Sequence, residues 1–277
     1  MTIERTAAQK LQEVSALLAV PNSRIIAGGT TFPQDPEKEL HLVDISALEG
    51  LDSVKQKGSR IEIGPLVTLK TLAENKLIQT LVPALAEAAA NAGTEAIRSI
   101  GTLGGNLAHS NIGDTAAALL ASGAKLTIKT DSDYRELLID RFWDKDGKND
   151  LEYDEWITRI TVQIPKGPFS GAAFGKFGCW KEPAEPYLAA AVQLSLDADN
   201  KIISIRGGLR LGPNRIQRMF PLEKALKNQT LSQENISKAI HAMVSAVQDY
   251  MDADTIARSL TDIINRASVM AQKRRTL

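Results

Sequence analysis

The chain has 277 residues, 43% of them hydrophobic, which is enough to bury a sizeable core and long enough for two packed domains. Lys plus Arg and Asp plus Glu each number 33, so no net field draws the chain to a phosphate backbone or an anionic membrane, and nucleic acid is excluded as an expected partner. The single cysteine, Cys179, rules out an internal disulfide, an iron–sulfur cluster or a cysteine-rich zinc site built from these residues alone and fits a reducing compartment.

The opening residues, MTIERTAAQKLQEV, carry no apolar core of signal-peptide type. No later segment approaches the roughly 18 apolar residues of a membrane-spanning helix. A cytoplasmic protein with no membrane insertion is expected.

In chain order, Leu11, Val14, Leu17 and Leu18 share one face of a helix predicted over 6–19, with Thr6 and Gln9 spaced as a capping box. RIIAGGTTFP at 24–33 predicts a buried strand breaking into a tight glycine loop. VDIS at 43–46 and RIEIGPL at 60–66 predict further strands. The alanine-rich stretch from Leu81 to Ala92 predicts a helix with Gly93 at its C-terminal end, and another is expected from Asp114 to Ala121.

Strands are predicted at 124–129 and 160–164, the second from the alternation of Ile160, Val162 and Ile164 before Pro165. Between them, 131–156 is highly charged and reads as a solvated excursion. Pro165, Gly167, Pro168 and Gly171 mark the domain boundary. Beyond it, strands at 171–177, 188–196 and 202–211 precede helices at 221–228, 232–249 and 252–273, the order of an α+β domain.

Two glycine motifs stand out, AGGTT at 27–31 and GTLGGN at 101–106. A pyrophosphate needs several backbone N–H groups at close range, and glycine lets the chain come near or adopt positive φ. Hydroxyls of Thr30, Thr31 and Thr102 and the amide of Asn106 add donors without charge. Singly, such glycines more often mark an ordinary turn; together, as loops on opposite sides, they would clamp a dinucleotide. Neither motif is G-x-G-x-x-G or a P-loop. His41, His109 and His241 have no local metal-site spacing, and Arg98 reads as a structural ion-pair partner.

Strand-AGGT, IRSIGTLGGNL at 97–107 and FGKFG at 174–178 occur in an order and spacing that resemble the FAD-binding medium subunits of molybdenum hydroxylases of the xanthine and carbon monoxide dehydrogenase type. The resemblance covers nearly the whole chain, with the second glycine motif its most specific part. It implies an α+β chain: a two-subdomain FAD-binding fold of the vanillyl-alcohol oxidase/p-cresol methylhydroxylase type over 1–165, then an α+β C-terminal domain over 166–277.

The resemblance implies that Ala27, Gly28, Gly29, Thr30 and Thr31 form the first pyrophosphate loop and Thr102, Leu103, Gly104, Gly105 and Asn106 the second. It also implies that Asp114 bonds the polar part of FAD and that Lys176 lies near the flavin, where a cation favours the anionic reduced form. Helix capping explains Asp114 equally well, and Lys176 also reads as an exposed strand lysine. The sequence departs from the family pattern at Thr31, Phe32 and Pro33 after AGGT, in a connection from Asn106 to Asp114 one residue shorter, and at Trp180 where an arginine is usual. The pattern Arg-x-Ala-Leu-Gly-Gly reads Arg206, Gly207, Gly208, Leu209, Arg210 and Leu211.

The implied activity is electron transfer, with no catalytic side chain and no metal of this chain's own. Electrons arrive from a small [2Fe-2S] iron–sulfur subunit that serves a large molybdopterin subunit, in a dimer of heterotrimers, and leave to NAD, oxygen or a quinone. Two other readings are a stand-alone flavin oxidase, for which no acid–base cluster speaks, and an assembly subunit that has lost FAD.

Overall fold

The computed structural model describes residues 3–31, 39–109, 113–167, 169–178, 187–212 and 214–274. Phe32, Pro33, Pro168, Cys179, Trp180 and the KEPAEP segment at 181–186 fall outside these residues. Three sheets organise the described residues.

The first is a parallel sheet of β1 (Ile3–Ala7), β3 (Leu40–Asp44) and β2 (Ser23–Ile26), in the order β1-β3-β2, with helix α1 (Glu13–Leu18) between β1 and β2. Here the predicted capping box fails. Thr6 lies in β1, opposite Val43, and its Oγ1 bonds His41 Nε2 at 2.9 Å. Strand pairing against the buried Leu42 and Val43 outweighs a local helix start. The helix opens later, with Glu13 Oε2 accepting from the Gln9 N–H.

The second sheet is antiparallel, in the order β4-β5-β8-β6-β7. Its strands are β4 (Val54–Lys57), β5 (Arg60–Ile63), β6 (Lys125–Lys129), β7 (Tyr134–Leu138) and β8 (Trp156–Gln163). Between β5 and β6 run α2 (Leu69–Glu74), α3 (Lys76–Leu81), α4 (Pro83–Ala90), α5 (Glu95–Ile100), α6 (Leu103–Ala108) and α7 (Ala116–Ala121). Alternation aims Ile61, Ile63, Leu126, Ile160 and Val162 into one core with Leu85, Leu103 and Leu119. The predicted helix from Leu81 is divided: Asn75 caps α3, Val82 leaves helical geometry, and α4 restarts at Pro83, a residue suited to a first turn.

The charged stretch 131–156 is exposed at most of its positions, as expected, but it is also folded. It supplies the edge strand β7, a 3-10 turn at Ile139–Arg141 and the fully buried Phe142. Arg135 holds it closed, donating to Glu155 Oε1 at 2.7 Å and to Asp150 Oδ2 at 2.8 Å. Arg135, Asp150 and Glu155 pair with one another, while Asp131, Asp133, Asp144 and Lys145 face water.

The third sheet contains β9 (Phe169–Phe177), β10 (Leu188–Leu196), β11 (Ile202–Leu211) and β12 (Arg215–Arg218), antiparallel in the order β12-β11-β10-β9. It is followed by α8 (Phe220–Leu226), α9 (Gln233–Val247) and α10 (Ala253–Lys273). Leu188, Ala190, Val192 and Leu194 face α8 to α10, while Phe174, Ala189 and Ala191 join the core of the second sheet. Burial on both faces explains the nearly unbroken apolar run of β10. Ionic ties add to this shared core: Asp140 of the 3-10 turn accepts from Arg206 at 2.9 Å and from Arg218 at 3.1 Å. No helix among the described residues is long and apolar enough to cross a membrane.

Candidate functional site

The AGGTT motif bends away from the end of β2 at Ala27 and Gly28, which are half-buried, and is exposed from Gly29 to Thr31. Gly29 has φ +64°, a conformation that glycine adopts without strain. No backbone N–H from Ala27 to Thr31 donates to another described residue. Five consecutive donors without an acceptor among the described residues, three of them in exposed residues, form a ready surface for an acceptor-only group such as a diphosphate.

The second motif is not an open loop. Thr102 caps α6, its Oγ1 accepting from the Gly105 N–H at 3.1 Å. The Leu103 N–H donates to Val67 O and the Gly104 N–H to Pro65 O, both at 2.9 Å. Leu103 and Gly104 are buried, and a Cβ on Gly104 would stand 2.7 Å from Pro65 Cβ. This glycine pair serves close packing at a helix start, while Gly105 and the Asn106 side chain remain nearer the surface. The sequence pattern did not separate the two cases, because both tasks select for the missing Cβ.

Nor do the motifs stand on opposite sides. A Cβ on Gly28 would lie 1.9 Å from the Ile100 carbonyl oxygen, and one on Gly101 would lie 3.5 Å from the Thr30 methyl. The two segments therefore touch, main chain against main chain, with the open N–H row of the first beside the capped turn of the second.

From α6 a chain of polar contacts leads to the third sheet. Asn106 Oδ1 accepts from the Thr115 N–H at 3.2 Å and the Thr115 hydroxyl at 2.6 Å. The neighbouring Asp114 presents Oδ1 to Lys176 Nζ at 2.9 Å and to Arg210 Nη1 at 3.5 Å. Lys176, Ala189 and Arg210 lie in one row across β9, β10 and β11, and the small Ala189 leaves the two cations room to converge. The Arg210 guanidinium lies over the Tyr187 ring at 4.3 Å, with Lys176 at 5.5 Å from the same ring. Burial pushes Arg210 down to about 10, and Asp114 opposes that shift.

Asp114 makes no capping bond: α7 has Thr115 as its N-cap and no side-chain cap. Lys176 is only 13% exposed, which answers the exposed-lysine alternative. Sequence reasoning missed Tyr187, Thr115 and the role of Arg210. The signal for Arg210 was a charge set between Leu209 and Leu211 in an otherwise apolar strand. Arg98 is not in an ion pair among the described residues; it donates to the Ala92 and Gly93 carbonyls at the end of α4. His41 is a buried histidine between Ser23 and Thr6 hydroxyls. A cavity of about 430 Å³, lined by Lys55, Lys57, Glu62 and Arg159 among others, lies away from all of these groups.

Residues 1–166 match the family described as the FAD binding domain in molybdopterin dehydrogenase. The chain belongs to this family of FAD-binding oxidoreductase subunits. The FAD-binding chain is 31% identical over 216 residues to the nicotinate dehydrogenase FAD-subunit of Eubacterium barkeri, covering 73% of this chain and 72% of that protein. It is 26% identical to the nicotine 6-hydroxylase medium subunit of Paenarthrobacter nicotinovorans over 92% and 91% of the two chains. Its fold is shared with carbon monoxide dehydrogenase from Hydrogenophaga pseudoflava, at TM-score 0.84 and 24% identity over 98% of each chain. Reconstituted CO dehydrogenase from Oligotropha carboxidovorans gives TM-score 0.87 at 21% identity, covering 98% of this chain and 99% of that one.

Proposed function

We propose that this chain is the electron-transfer subunit of a molybdenum hydroxylase complex, taking electrons from a partner's iron–sulfur clusters through FAD and delivering them to NAD, oxygen or a quinone. The observation that carries the cofactor's placement is the row of five N–H groups at Ala27, Gly28, Gly29, Thr30 and Thr31 without a described acceptor. Bound FAD supplies the redox chemistry, accepting electrons singly or in pairs.

The chain's own residues bind and orient. The amides of 27–31 and the hydroxyls of Thr30 and Thr31 would hold the diphosphate. Thr102, Leu103 and Gly104 fix the adjoining turn, and Gly105 and Asn106 present its outer surface. Asp114 would accept a hydrogen bond from the polar part of FAD, and Lys176 would set a positive charge beside the flavin ring. The fit is chemical: the first segment offers neutral donors to an acceptor-only group, with no carboxylate in the motif to repel it.

The FAD-binding half is placed at 1–165 and the C-terminal domain at 166–277, in keeping with the change of sheet between Gln163 and Phe169. With Cys179 its only cysteine, this chain cannot ligate a four-thiolate cluster. A small [2Fe-2S] subunit and a large molybdopterin subunit are the partners that the reading requires.

The test starts from native purification with a tag on this chain, followed by subunit identification, iron and molybdenum analysis and release of the nucleotide. The reduced flavin is then mixed anaerobically with NAD, or with oxygen or a quinone. Copurification of both partners with flavin reoxidation by one acceptor is the expected result. A lone flavoprotein whose reduced flavin reacts with none of the three would overturn the proposal.

A further inference from the structure

Asp114 is held mainly through one oxygen. Both cations approach Oδ1 most closely, and no described residue donates a hydrogen bond to Oδ2. The carboxylate is 13% exposed and Arg210 is 6% exposed. Asp114 is half-buried and its Oδ2 is not one of the buried atoms left without a partner, so this oxygen stays open to a donor from an adjoining ligand.

The clamp itself is over-determined. Arg210 Nε donates to Gly212 O at 3.1 Å, its plane covers Tyr187, and one Nη reaches Asp114. Three restraints on one guanidinium fix it where a flexible lysine would wander. Lys176, on the next strand but one, pins the same oxygen from the other side.

We propose that Arg210 is a positioning residue of the flavin site: stacked on Tyr187 and bonded to Asp114 Oδ1, it holds that carboxylate so that Oδ2 accepts a hydrogen bond from a hydroxyl or N–H of bound FAD. This rests on the reading that FAD lies along the glycine motifs. Arg210 need not touch the nucleotide, because it acts through Asp114.

A double-mutant cycle decides the matter. FAD is titrated into the apo forms of wild type, Arg210→Met, Asp114→Asn and the double variant, with flavin fluorescence giving Kd and circular dichroism giving the melting temperature of each. Arg210→Met is expected to weaken FAD about tenfold, Arg210→Lys to recover part of that loss, and the double variant to bind no worse than Asp114→Asn alone.

A purely structural role would lower melting temperatures without this coupling in Kd. Losses that multiply in the double variant, or wild-type affinity in Arg210→Met, overturn the proposal. Should Arg210→Met fail to fold, Arg210→Lys with Asp114→Asn completes the same cycle with the same criterion. Failure of wild type itself to bind FAD overturns the cofactor placement, a result distinct from either.

Discussion

The two glycine motifs have similar compositions and opposite structures. At 27–31 the backbone donors face outward with no described acceptor; at 103–105 every N–H is engaged, by Val67, Pro65 and the Thr102 hydroxyl. One glycine motif leaves its amides for a ligand, and the other uses its missing side chains to seat a short helix on Pro65. Glycine content alone therefore does not mark a phosphate site. What marks it is whether the amides already have partners.

The severest test of this contrast is Gly28→Val. Its first added carbon would overlap the Ile100 carbonyl, and backbone cannot rotate away as a side chain can. We expect at least about 3 kcal/mol of destabilisation, the upper part of the range for overpacking, and no flavin absorbance after desalting.

Gly104→Val meets the Pro65 ring instead and should cost about 1–3 kcal/mol. Flavin should stay in whatever fraction remains folded, as read from the absorbance ratio at 450 and 280 nm. Complete flavin loss at unchanged melting temperature would break the comparison.

Smaller effects sharpen it. Thr102→Val removes the cap of α6 and should lower stability by about 1 kcal/mol, measured by urea titration of the apo protein. Gly105 is exposed, and its added Cβ would meet only the Thr102 hydroxyl at 3.2 Å. Gly105→Ala should therefore stabilise the apo protein by up to about 1 kcal/mol through helix propensity, yet weaken FAD if the nucleotide passes over this turn. Unchanged FAD affinity would confine the second motif to a structural part.

The last prediction uses acid. Burial raises the Asp44 carboxyl, but the Ser46 amide and hydroxyl and the Arg5 guanidinium outweigh it, leaving Asp44 below its ordinary 3.8. A lowered folded pKa means that its contribution is complete above about 3.8 and is lost as pH falls through the folded value. Asp44 pairs in register with Ile26, the residue before AGGTT. Its protonation should loosen the first motif by less than about 1 kcal/mol, since Arg5 is largely exposed. Fluorescence of released flavin between pH 5 and 3 checks this, and Asp44→Asn should flatten the curve.

Much of the architecture was legible where periodicity is strong. The strands over 188–196 and 202–211 and the two long final helices follow directly from alternation and amphipathic spacing. The short helices α2, α3, α5 and α6 were not, since six residues offer too few turns to show a period. The strand β1 was hidden by a local capping pattern that lost to long-range pairing. In the site, the motifs and the pair Asp114 and Lys176 were visible as sequence. Arg210, in β11, and Tyr187, just before β10, lie 96 and 73 residues beyond Asp114, and only the fold brings them to one cluster.

The meeting of Gly28 with Ile100 has one further consequence. The first sheet's loop and the end of α5 touch through peptide groups, so their spacing is gauged by main-chain thickness and not by any side chain. Substitutions at neighbouring side chains leave this spacing unchanged. The contact persists so long as residue 28 keeps no side chain.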